Sequence, residues 1–248
     1  MTADRADTVL ILGATSDIAR AIARRYAAAG RPLILAARDP ARLAPDVSDL
    51  EIRHGGRVTA VAFDVLDTAG HGAFLDGLPG LPATVVCVVG LMGEQSESER
   101  DASQAALVLR TNLEGPASIL GEVANRMQAR GSGTIIGISS VAGDRGRASN
   151  YVYGAAKAGF TALLSGMRNR LARHGVHVIT VKPGFVRTRM TAGRDLPGAL
   201  TAEPDEVARA VLAAEEKRRD IVYVRPVWRL VMAVIRGLPE PVFKRTSL

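Results

Sequence analysis

The chain has 248 residues, 47% hydrophobic and 23% charged, enough to bury a sizeable core and too apolar for a disordered segment. A single cysteine, Cys87, excludes an intrachain disulfide and, inside an apolar run, reads as inert packing. The net charge of +7 raises nucleic acid or an anionic membrane as partners, but the basic residues are scattered except near the C-terminus, so no nucleic acid is expected.

Residues 1–7 are polar and lack the shape of a signal peptide. No apolar stretch reaches the length of a membrane span, so the expected location is cytoplasmic. Val9 to Leu12 form the first strand-length apolar run. A turn follows, then a helical pattern with Ile18, Ile22 and Tyr26 in register, ended by Gly30 and Pro32. Leu33 to Ala37 predict a second strand, Val58 to Phe63 a third and Val85 to Val89 a fourth. A long helical pattern runs from Gln104 to Ala129, then a fifth strand from Thr134 to Ile138. A second long helix from Tyr153 to His174 leads to a sixth strand, Val176 to Val181. Arg189 to Glu203 has little pattern and is expected to be a mobile loop that shapes a pocket. Glu206 to Glu216 predict a helix and Ile221 to Val224 a seventh strand. Apolar strands separated by helices imply a parallel sheet covered on both faces. With right-handed crossovers the expected architecture is α/β, a single-domain Rossmann-type doubly wound sheet of about seven strands over residues 1–248.

The first strand–helix turn is Gly13-Ala14-Thr15-Ser16-Asp17-Ile18-Ala19. Gly13 permits a tight turn, and the N–H groups of Thr15, Ser16, Asp17 and Ile18 at the helix start suit a pyrophosphate. Alone, that turn is no more than a strand–helix connection. Tyr153 and Lys157 share a helix face at four-residue spacing. A phenol with a pKa of about 10 transfers protons poorly at neutral pH, and a nearby cation lowers that value. Tyr153 is then a candidate general acid or base for a C–O group. An isolated Tyr–Lys pair of this kind need have no joint role.

Taken with their surroundings, these residues resemble the short-chain dehydrogenase/reductase family over nearly the whole chain. Ser140 stands thirteen residues before Tyr153, just past the fifth strand. Asn112 lies in the helix after the fourth strand, and Pro183-Gly184-Phe185-Val186-Arg187-Thr188 follows the sixth. The resemblance implies an oxidoreductase moving hydride between a nicotinamide and a carbonyl or secondary alcohol. It implies a catalytic set of Asn112, Ser140, Tyr153 and Lys157, with no metal. In that set Ser140 holds the substrate oxygen, Tyr153 carries the proton, Lys157 lowers the tyrosine pKa and holds the nicotinamide ribose, and Asn112 holds a water. It also places Gly90, Pro183, Gly184, Val186 and Thr188 against the cofactor, Thr188 doubling as a helix cap, and Asp64-Val65 against the adenine. Ser139 is the neighbour without a role. Homodimers or homotetramers are implied as well.

Several positions depart from the family pattern. Asp17 and Ala19 replace two glycines, and Asp17 is expected to turn away from the phosphates and cap the helix. Cys87-Val88-Val89-Gly90 replaces Asn-Asn-Ala-Gly. Arg38 stands where an acidic residue would select NAD, so NADP(H) is favoured over NAD(H). The Gly13–Ile18 turn and the tail around Trp228 and Phe243 resemble the decaprenylphosphoryl-2-keto-pentose reductases, which implies a lipid-linked keto-sugar substrate; Arg38 is not part of that resemblance. A small ketone or an acyl-thioester ketone is the alternative substrate. The segment 225–248, apolar with basic flanks, is expected to meet a subunit, the core or the inner face of an anionic membrane. A cofactor-binding sensor or scaffold without turnover and a peripheral membrane adaptor are the rival classes.

Overall fold

The computed structural model describes residues 7–193 and 195–246. Residues 1–6, Arg194 in the expected loop, and the end of the tail at 247–248 lie outside them. In chain order the first half comprises β1 (Val9–Leu12), α1 (Asp17–Ala28), β2 (Leu33–Ala37), α2 (Ala44–His54), β3 (Val58–Ala62), α3 (His71–Asp76), β4 (Thr84–Cys87), α4 (Gln95–Arg100), α5 (Ala102–Leu109) and α6 (Gly115–Arg130). The second comprises β5 (Gly133–Ile138), α7 (Tyr151–Leu171), β6 (Val176–Pro183), β7 (Phe185–Val186), β8 (Thr201–Ala202), α8 (Pro204–Glu216), β9 (Ile221–Val224), α9 (Val227–Gly237) and α10 (Glu240–Phe243).

Seven strands form one parallel sheet in the order β3-β2-β1-β4-β5-β6-β9. Because successive residues of a strand face opposite sides, Val9 and Ile11 enter one core and Leu10 and Leu12 the other. Helices α1 and α8 cover the first face, where the Tyr26 hydroxyl donates to Glu215 Oε2 at 2.7 Å. Helices α6 and α7 cover the second with Ile119, Val123, Phe160 and Leu164. Strand order reverses between β1 and β4, which opens a crevice beyond the carboxyl ends of the strands.

The sequence pattern misses α2, α3 and α4. Helix α2 buries only Leu50, so it carries almost no apolar period; Pro45 near its start and a left-handed Gly55 at its end fix its limits. The long pattern from Gln104 is two helices joined by a π-helical turn, Arg110–Glu114. The fourth strand ends at Cys87 rather than Val89, and the third at Ala62. The segment expected to be a loop carries in its described part turns at Arg189–Thr191 and Gly198–Leu200, and its end forms β8, paired in parallel with β7. Among the described residues no helix is long and apolar enough to cross a membrane.

Candidate active site

A cavity of about 660 Å³ occupies the crevice. Every residue expected to touch cofactor lines it: Gly13, Thr15, Ser16, Asp17, Ile18 and Arg38 from the β1 and β2 ends, Asp64 and Val65 after β3, and Gly90 after β4. Tyr153 and Lys157 line it from α7, and Pro183, Gly184, Val186 and Thr188 from the β6 end. Ser140 lines it too, whereas Asn112 stands behind the wall.

Gly13 has φ of 83°, and a Cβ there would stand 3.0 Å from the Val89 backbone nitrogen, so the first turn needs glycine twice over. Ser16 is the cap of α1, its hydroxyl accepting from Ala19 N at 3.2 Å. The expectation that Asp17 caps the helix is therefore corrected. Its carboxylate instead accepts from the backbone N of Arg189 at 2.7 Å and from that residue's Nε at 2.9 Å. Arg189 Nη2 also donates to Thr15 O at 2.5 Å. The acid that replaces a family glycine is thus neutralised by a cation brought from far along the chain. Ala19 faces the core, away from the cavity. Thr188 caps the short turn that follows it.

At the end of β2, Arg38 is exposed, lines the cavity and has no hydrogen bond or ion pair among the described residues. Asp39 beside it is committed to a local turn, accepting from Ala41 N at 3.1 Å. Asp64 accepts from Leu66 N at 3.0 Å.

The catalytic candidates converge from β5 and α7. Ser140 caps the turn Val141–Gly143, with Ala142 N donating to its Oγ at 3.1 Å. Ser139, read from sequence as having no role, is buried; its Oγ lies 2.7 Å from Thr161 Oγ1 and donates to Lys157 O at 3.2 Å, fixing α7 against β5. Lys157 Nζ donates to Ile138 O at 3.2 Å and lies 5.7 Å from the centre of the Tyr153 ring. Asn112 donates from Nδ2 to Leu91 O at 2.6 Å and Val108 O at 2.8 Å, and its Oδ1 accepts from Leu91 N at 3.3 Å. It therefore pins the chain beside Gly90 from within the π-helical turn.

The electrostatics differ from expectation in one respect. Lys157 does not leave the Tyr153 phenol depressed: burial pushes that phenol up to about 12, and the neighbouring Ser140 hydroxyl offsets only part of this. The Tyr153 side chain itself is half-buried and borders the cavity. Burial likewise pulls Lys157 down to about 8. Cys87 is buried with its thiol pushed up to about 11, as befits inert packing.

Sequence reasoning missed Arg189, Arg147 and Asn150, all of which line the cavity. The position of Arg147 and Asn150, between Ser140 and Tyr153 in the chain, was the available signal.

A doubly wound sheet whose crevice is lined by a glycine turn and a Ser–Tyr–Lys set defines a class of nucleotide-dependent oxidoreductases. The chain belongs to the short chain dehydrogenase family, which its residues 7–196 match. It is 36% identical over 240 residues to an uncharacterized oxidoreductase of Mycobacterium tuberculosis, covering 96% of each chain. It is 36% identical over 241 residues to an uncharacterized oxidoreductase of Streptomyces coelicolor, covering 96% of this chain and 95% of that one. In structure it resembles a short-chain dehydrogenase from Sphingobium yanoikuyae in complex with NADPH, with a TM-score of 0.81 and 26% identity over 94% of this chain and 97% of the other.

Proposed function

We propose that the protein is an NADP(H)-dependent carbonyl reductase or alcohol dehydrogenase acting through Asn112, Ser140, Tyr153 and Lys157. The observation that carries the cofactor choice is the guanidinium of Arg38, which lines the cavity and has no partner among the described residues. A planar fork there suits a 2′-phosphate, and the likeness to a dehydrogenase bound to NADPH supports it. The dinucleotide fits the rest of the cleft: Gly13 leaves its backbone bare, the start of α1 offers N–H groups, and Arg189 cancels the charge of Asp17.

When bound, the nicotinamide supplies or accepts the hydride at the carbonyl carbon. In reduction the Tyr153 hydroxyl gives its proton to the carbonyl oxygen, so C=O becomes CH–OH. The raised phenol pKa keeps that proton in place until the oxygen becomes basic. Ser140 donates to the same oxygen and stabilises its developing charge. Lys157 stands beside the phenol to hold the ribose and to compensate the phenolate formed. Asn112, by pinning Leu91, shapes the wall next to Lys157 and is the candidate holder of a relay water.

Titration with NADPH and NADH, followed by nicotinamide fluorescence, tests this reading. NADPH is expected to bind more tightly, and Arg38→Asp to weaken it at least about tenfold while sparing NADH. Tighter NADH binding by the wild type refutes the cofactor choice, and no binding of either nucleotide refutes the function.

A second reading narrows the substrate to a lipid-linked keto-sugar. The observation favouring it is the outer stripe of α9, where Leu230 is 68% and Val234 60% exposed beside the cations Arg229 and Arg236. Flotation with anionic vesicles that is lost in a Leu230→Glu, Val234→Glu variant is the expected result; no flotation of the wild type removes this reading. The assembly is proposed to be a homodimer or homotetramer, as the family resemblance implies.

A further inference from the structure

The loop between Ser140 and α7 carries five polar side chains, of which Asp144, Arg145, Arg147 and Asn150 differ in their surroundings. Asp144 is held by an ion pair with Lys182 and by the Tyr223 hydroxyl, which donates to its Oδ2 at 2.8 Å. Arg145 donates to Ile235 O at 2.7 Å and Leu238 O at 2.6 Å, pairs with Glu240 and stacks 3.8 Å over the Phe243 ring. Both therefore act in the architecture.

Arg147 and Asn150 do not. Among the described residues the buried Nε of Arg147 and Oδ1 of Asn150 have no hydrogen-bond partner and the guanidinium has no ion pair. Buried polar groups are ordinarily satisfied, so two unmade ones on one short loop call for a reason. Both side chains line the cavity that holds Ser140 and Tyr153. They follow β5, on the opposite side of the strand-order reversal from Arg38 after β2, so they face the substrate end and not the adenosine end.

The acids that line the cavity are engaged elsewhere, Asp17 with Arg189 and Asp64 with Leu66 N, and Asp144 on the same loop pairs with Lys182. Much of the cavity lining is apolar, including Leu91, Met92, Met190 and Leu196, and a charge held there is screened less than in water. Burial also pulls the Arg147 pKa down.

We infer that Arg147, with Asn150 beside it, forms a substrate subsite for an oxyanion, so that the carbonyl substrate carries a carboxylate, phosphate or sulfonate. Arg147 supplies the guanidinium fork for that anion. The inference rests on the carbonyl-reductase reading of the site.

Calorimetry with three small probes tests it: succinate, 2-carboxyethylphosphonate and the neutral succinamide. Wild type is expected to bind both anions at least about tenfold more tightly than succinamide, with the order of the two anions separating carboxylate from phosphonate. Arg147→Gln is expected to remove that preference, and Arg147→Lys, which keeps charge but not the fork, to retain part of it. In turnover, the preference for 4-oxobutanoate over its methyl ester is expected to fall in Arg147→Gln through KM more than kcat. Equal binding of anion and amide by wild type overturns the inference, as does an anion preference that survives in Arg147→Gln. If Arg147→Gln does not melt cooperatively, an undiminished preference in Arg147→Lys overturns it equally. Anion binding without NADPH binding leaves the subsite standing and refutes the reductase reading.

Discussion

Tyr153 and Lys157 show how burial and pairing compete at a single pair of residues. Four-residue helical spacing brings them together, and a cation beside a phenol lowers its pKa if nothing else acts. In the folded protein both groups leave water, and loss of hydration disfavours each charged form, so the phenol rises and the ammonium falls. The consequence for stability can be measured. With Lys157 at about 8 when folded, against an ordinary value of 10.5, the native state carries the cost of a buried cation below pH 8. Between those two pH values the unfolded chain holds the proton that the native chain has released. Stability of the nucleotide-free protein is therefore expected to rise with pH across that window relative to a Lys157→Met variant, by a few kcal/mol in all. Urea unfolding of both proteins at pH 7 and at pH 10 checks this; a difference that stays constant or narrows the other way shows that burial does not govern Lys157.

At the level of elements, the glycine turn and the segment after β7 act together. Asp17, at the first position of α1, would repel a pyrophosphate if left alone. Its two bonds to Arg189 and the bond from Arg189 to Thr15 O tie that segment across the mouth of the phosphate site. Asp17→Gly restores the residue usual in the family, and simple repulsion predicts tighter nucleotide binding from it. The tether predicts the opposite: NADPH is expected to leave about three- to tenfold faster, the size of one or two charge-assisted bonds at a half-open site. Stopped-flow displacement of NADPH from both proteins decides between them, since a slower off-rate in Asp17→Gly sinks the tether.

Across the whole molecule, the C-terminal helices complete the site from outside the sheet. Trp228 packs so closely on Gly184 that a Cβ there would stand 2.0 Å from the indole. Its Nε1 donates to Leu200 O at 3.0 Å, and its ring meets Phe185 edge-on at 5.4 Å. Met232 and Ile235 continue that buried face, and Arg145 receives the end of α9. The tail is therefore divided lengthwise, with one stripe holding the substrate end of the cavity and the other, Val227, Leu230 and Val234, turned outward. Packing on the core accounts for the first stripe, and vesicle flotation addresses only the second.

Local pattern alone determined the seven sheet strands and the two long helical regions, because each of these is written in residues near one another in the chain, whereas Ser140, Tyr153 and Lys157 were grouped by the family resemblance. Periodicity reveals an element only when one face is apolar, which is why α2, burying Leu50 alone, stayed hidden. Tertiary structure decided the rest. It joined Asp17 to Arg189 across 172 residues, turned the expected shift of the Tyr153 phenol upward through loss of hydration, and gave Ser139 a positioning role. It also separated Arg145, which finds carbonyls and a carboxylate, from Arg147, which finds none. Two arginines on one loop look alike in sequence; only the packing around each determines which one is left for a ligand.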